Sequence, residues 1–81
     1  FHNEENTMTM GDLRPGQKAR VLSIGTQGAM RQRILDMGIT PNVAVELIKV
    51  APLGDPLELS LRGYQLSLRK SDAALIEVEL L

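Results

Sequence analysis

Cysteine is absent from the 81-residue chain, so neither a disulfide framework nor a thiolate metal site can stabilise it. Tryptophan is absent too, and Phe1 and Tyr64 are the only aromatic residues. That shortage removes the stacking platforms that hold single-stranded nucleic acids and the aromatic groove that proline-rich peptides require. The single histidine, His2, lies in the N-terminal segment, which leaves the body of the chain without imidazole. Neither charge dominates: nine Lys and Arg stand against ten Asp and Glu, for a net charge of −1. A phosphate-backbone binder shows a basic excess instead, so no nucleic-acid partner is expected. No apolar run approaches the ~20 residues needed to cross a bilayer, and no membrane insertion is expected. The start of the chain, Phe1 to Asn6, is acidic and polar, unlike a signal peptide; the expected location is cytoplasmic.

Branched aliphatic residues, by contrast, are plentiful, as a core without disulfides or metal must be. The reading is of a polar, disordered tail over residues 1–8 and one domain over 9–81. Thr9 caps a turn through Met10–Leu13, with Asp12 at its positive end, and Pro15-Gly16 forms a type II turn. Lys18–Ile24 reads as a strand whose alternation slips at Leu22 and Ile24. Asn42–Val50 reads as another, with the same slip at Ile48 and Val50. A slip of phase predicts a bulge or a strong bend, and bent strands suit a small closed barrel. Gly28–Met37 is the one helix with a clear stripe, Met30, Ile34 and Met37, stopped by Gly38. Leu57–Leu61 and Tyr64–Leu68 form a hairpin around Arg62-Gly63, with Leu61 opposite Tyr64, Leu59 opposite Leu66 and Leu57 opposite Leu68, all facing inward. Ser71–Ala74 reads as a capped helical turn. Ile76–Leu80 closes the domain as a strand, with Ile76, Val78 and Leu80 inward. The expectation is a mainly β, five-stranded barrel with a short helix after the first strand and a helical turn before the last.

No catalytic constellation emerges. Ser60, Ser67 and Ser71 have no histidine near them, and every acidic residue falls on a polar strand phase, a cap or a loop. An acid–base pair would need one carboxyl in an apolar pocket; the reading is of a protein that is not an enzyme. Asp55, Glu58, Glu77 and Glu79 are the carboxylates available to a metal ion, although strand alternation alone produces such an acidic face. Met30 and Met37 read as core and Met10 as a local packing residue, not as ligands for a soft ion. Gly25–Gly28 ahead of Arg31 and Arg33 has the form of an anion-holding loop; its simpler role is the turn between strand and helix. The remaining class is protein binding. The loop Ala51–Pro56 is stiffened by two prolines, and Leu53 either projects from its tip or folds back to plug the barrel end. Arg31 and Arg33 offer a second surface, with Arg33 also in range of Asp36 or a sheet carboxylate. A free edge strand could accept a partner strand or support weak self-association.

Three stretches carry a family resemblance: Arg31-Gln32-Arg33-Ile34-Leu35-Asp36-Met37-Gly38-Ile39-Thr40-Pro41, then Ala51-Pro52-Leu53-Gly54-Asp55-Pro56-Leu57, then Gly63 through Ser67-Leu68-Arg69 to Asp72-Ala73. Over residues 9–80 the chain resembles the ferrous iron transport protein A (FeoA) family. The resemblance implies an SH3-like barrel and a cytoplasmic accessory role in bacterial ferrous iron uptake. It also implies docking on the cytoplasmic, GTP-binding portion of the membrane iron transporter FeoB. The partner-binding residues expected are Arg31, Arg33, Leu53 and Asp55, and ferrous iron is the metal that the association brings in. The alternative is the C-terminal SH3-like appendage of a metal-dependent repressor of the diphtheria-toxin-repressor type.

Overall fold

The computed structural model describes residues 8–81; the tail expectation over residues 1–8 lies outside them except at Met8, which pairs with Val78 in a strand and belongs to the domain. In chain order the elements are β1 (Met8–Thr9), a 3-10 turn (Met10–Asp12), β2 (Lys18–Ile24), α1 (Gly28–Asp36), β3 (Ala44–Val50), β4 (Leu57–Leu61), β5 (Tyr64–Leu68), α2 (Lys70–Ala73) and β6 (Ile76–Leu80). They build one antiparallel sheet of six strands in the order β1-β6-β2-β3-β4-β5. The strand that five-strand reading omits is β1, whose Met8 and Thr9 pair with Val78 and Glu77. Two residues carry no periodicity to read, so only the partner strand reveals it.

Bulges fall where the alternation slips. The β2–β6 register shifts between Val21 and Ser23, and the β3–β4 register between Leu47 and Lys49. The extra residues, Leu22 and Ile48, stay exposed, while Ile24 and Val50 turn back against the core. Each bulge bends its strand and adds twist, so the sheet curls around a single core. That core joins Ala19, Val21, Val45, Leu47, Leu57, Leu59, Leu68, Ile76 and Val78 from the strands to Met10, Leu13, Ile34, Ile39 and Ala73 from the connections. Met10 is fully buried and is core, not a local packing residue. Leu80 is about half exposed, at the end of β6, where it pairs with Ala19 and the inward phase has run past the core.

The hairpin register is the expected one, with Leu61 opposite Tyr64, Leu59 opposite Leu66 and Leu57 opposite Leu68. Both turn residues have positive φ, 52° at Arg62 and 86° at Gly63, as a type I′ turn requires. Tyr64, expected inward, is instead 43% exposed. Its hydroxyl donates to the Met37 carbonyl at 2.6 Å, because a phenol at a core margin keeps its polar tip where an acceptor is available. α1 ends in a Schellman motif: Ile39 N–H donates to Ile34 O and Gly38 N–H to Leu35 O, with Gly38 at φ +97°. A Cβ on Gly38 would overlap the Tyr64 hydroxyl, so this glycine serves both the helix stop and the tyrosine contact.

Candidate docking surface

The Ala51–Pro56 loop leaves β3 and returns into β4. Gly54 N–H donates to Ala51 O at 2.7 Å, and Ala51 N–H donates to Pro56 O at 3.1 Å. These bonds close the loop on itself, and Gly54 turns it at φ +88°. Leu53, held at the turn, is 96% exposed. It projects from the loop and does not plug the barrel end.

Asp55 has a structural partner. Its Oδ1 accepts the Lys70 N–H at 2.9 Å, which satisfies one of the unpaired donors at the start of α2. The cap expected locally from Ser71 is therefore supplied by a residue 15 positions earlier. Arg33 also departs from expectation. It pairs with Asp72 of α2 at 3.5 Å and not with Asp36, whose carboxylate accepts from Gln32 Nε2 at 2.9 Å. Asp72 is the one buried charged residue among the described residues, so losing Arg33 would leave its carboxylate without this cation. The loop and α1 are thus both tied to α2, one through Asp55 and the other through Arg33. Of the four expected docking residues, Asp55 and Arg33 hold the surface together. Leu53 and Arg31 are left outward, and Arg31 has no ion-pair or hydrogen-bond partner among the described residues.

The metal-candidate carboxylates are not brought together. Glu77 and Glu79 lie on β6, and Glu58 lies on β4 with β2 and β3 between them. Glu77 accepts from Ser23 Oγ at 2.9 Å, and Glu79 accepts from Arg20 Nε at 2.9 Å. Glu58 lies 3.9 Å from Lys49 Nζ. Among the described residues no group of three or more His, Cys, Asp or Glu side chains could hold a metal ion. Of the glycines ahead of α1, Gly28 turns the chain at φ +72° and Gly25 has a steric role. Gly25 N–H donates to Leu75 O, and a Cβ there would sit 3.2 Å from that oxygen. Among the described residues no helix is long and apolar enough to cross a membrane. Sequence reasoning missed Asp72 and the tyrosine staple; the near repeat of charge at Arg69, Lys70 and Asp72 gives no sign of which side chain turns inward.

The FeoA domain model matches residues 8–80. A curated relative, the Fe(2+) transport protein A/Fe(2+) transporter FeoB fusion protein of Porphyromonas gingivalis, is 38% identical over 74 residues, which is 91% of this chain. The chain spans only 9% of that relative's length. Among solved structures, the FeoA-like protein from Clostridium acetobutylicum superposes with a TM-score of 0.87 at 39% identity, over 94% of this chain and 88% of the other. Stenotrophomonas maltophilia FeoA, a prokaryotic SH3-domain protein solved with zinc, gives 0.77 at 25% identity over 89% of each chain. The six-stranded sheet is accordingly of the SH3-like kind. A manganese-dependent transcriptional repressor reaches a TM-score of 0.85 at 17% identity, over 93% of this chain and 37% of the repressor. That likeness is one of fold alone, and the FeoA family fits the sequence better than the repressor appendage does.

Proposed function

Given that the chain belongs to the FeoA domain family, which is associated with ferrous iron transport, we propose that it is a non-enzymatic docking module for the cytoplasmic portion of the transporter FeoB. The observation that carries the reading is Leu53, an apolar side chain 96% exposed on a loop closed by its own backbone bonds. A preorganised loop loses little entropy on binding, and an isolated leucine in water gains by entering a partner's pocket. The P. gingivalis fusion protein supports the choice of partner, since its name joins a transport protein A and a FeoB in one polypeptide.

In this reading Leu53 is the anchor and Arg31 a rim charge that steers encounter. Asp55 and Arg33 hold the two in register through α2. Docking then biases the GTP-binding portion of the transporter towards the conformation whose surface fits Leu53, by the difference in affinity between its states. Ferrous iron is cargo of the transporter; the candidate carboxylates Glu79, Glu77, Glu58 and Asp55 are engaged with Arg20, Ser23, Lys49 and the Lys70 amide in turn. An amide-resolved NMR titration with the soluble GTP-binding portion of the transporter tests the proposal. Shifts confined to residues 28–33 and 51–56 are expected. Shifts elsewhere, or none at high partner concentration, would remove this surface.

A further inference from the structure

The two edges of the sheet differ. β1 is an edge of two residues, whereas β5 is an edge of five, Tyr64-Gln65-Leu66-Ser67-Leu68, paired among the described residues on one side only, with β4. In an antiparallel pair, residues alternate between those that exchange both backbone hydrogen bonds and those that exchange none. The tight turn makes Leu61 and Tyr64 a bonded pair, so Leu59–Leu66 and Leu57–Leu68 are bonded as well. The N–H and C=O groups of Gln65 and Ser67 therefore point away from β4. No hydrogen bond from another described residue reaches them.

Natural edges of this length are blunted by a lysine, a proline or an inward charge. β5 has none of these within it. Its ends are cationic instead: Arg62 precedes it, and Arg69 and Lys70 follow it, and none of the three takes part in an ion pair among the described residues. Of the acids beside it, Asp55 is engaged with the Lys70 amide, and Glu58, opposite Ser67 on β4, lies 3.9 Å from Lys49 Nζ. At that end Ser67, Arg69, Ser71, Asp55 and Pro56 line an open depression in which a continuing chain could run. We propose that the β5 edge accepts an extended peptide segment of a partner protein, apolar or neutral in its middle and acidic at its ends, as an added strand. The β5 edge is distinct from Leu53 and Arg31, although the depression at its end shares Asp55 and Pro56 with the loop, and the inference does not depend on the identity of the partner.

Charge decides against a second copy of this chain as the occupant. The antiparallel β5–β5 pairing that satisfies all the outward groups is centred on Leu66. It brings the Arg62 end of each copy towards the Arg69 and Lys70 end of the other, and like charges brought together repel. An acidic strand turns the same two positions into attractions. Main-chain hydrogen bonds supply affinity in such an addition whatever the exact side chains, so a generic probe is adequate.

The test uses the full chain and a synthetic peptide, Glu-Thr-Val-Thr-Val-Thr-Val-Glu, beside a control with lysine at both ends, followed by amide NMR. Millimolar acidic peptide should shift the Gln65 and Ser67 amides and protect them from hydrogen exchange, and should bind about tenfold tighter than the lysine peptide. Ser67→Pro removes an outward N–H without touching the β4 ladder, as proline tolerates at an edge. It should weaken binding about tenfold while the remaining amide spectrum persists. Should that variant not fold, Arg69→Glu, on an exposed side chain, should reverse the preference between the peptides. Three results would each overturn the proposal: no change at Gln65 and Ser67, equal binding of both peptides, or shifts at β5 that depend on protein concentration alone.

Discussion

The strand carboxylates and the loop residues of this domain use exposure in opposite ways. Glu77, Glu79 and Glu58 lie on the outward phase of β6 and β4, and each is held by a neighbour across the sheet: Ser23, Arg20 and Lys49. Leu53 lies on a loop whose backbone bonds close upon themselves, and none of the described residues covers it. The carboxylates form an acidic pattern because strands alternate, and each has a cross-strand partner, a cation for Glu79 and Glu58 and a hydroxyl for Glu77. Leu53 has no such structural explanation. An outward residue already engaged across the strand costs the fold something when it binds elsewhere; one with no internal contact is free to bind without loss.

The largest effect expected of a single substitution near this boundary is at Gly38, which holds α1 against the hairpin. Gly38→Ala combines a positive φ with overlap on the Tyr64 hydroxyl, and should cost about 2 kcal/mol in urea unfolding. A loss below about 0.5 kcal/mol would mean that α1 is not fixed by this contact. Asp55→Ala should cost about 1 kcal/mol, since it removes a remote cap, and should speed exchange of the Lys70 amide. If that exchange is unchanged, the loop is not tied to α2 in this way. Glu79→Gln should cost no more than about 1 kcal/mol, because Arg20 and Glu79 are 41% and 45% exposed. A much larger loss would put the carboxylate face among the stability determinants and weaken the contrast. Smallest of all, Leu53→Ala should change stability by no more than about 0.5 kcal/mol; a clear destabilisation would show that Leu53 packs on the fold in solution.

Much of the fold is legible in the sequence because its signals are local. The hairpin register follows from apolar residues every second position around Arg62-Gly63, and the two bulges show as breaks in that alternation at Leu22 and Ile48. The helix stop is written in Gly38. What escapes is non-local. β1 is too short to carry a pattern, Leu80 keeps the inward phase after the core has ended, and Tyr64 leaves the core because its hydroxyl finds the Met37 carbonyl. The candidate site divides along the same line. That the loop is stiff follows from its prolines, and that Leu53 stands outside follows only from the folded chain. Asp55 and Arg33 belong to contacts 15 and 39 residues apart in sequence, so their structural role has no local signature.

The most direct test of the docking account is calorimetric titration of the cytoplasmic portion of FeoB with this domain and with its Leu53→Ala/Arg31→Ala variant, alongside thermal unfolding of both. A few residues carry most of the binding energy of an interface, and Leu53 with Arg31 are the ones assigned here, so the account predicts an affinity about tenfold or more weaker in the variant, with the unfolding temperature unchanged. Equal affinities for the two proteins would contradict it.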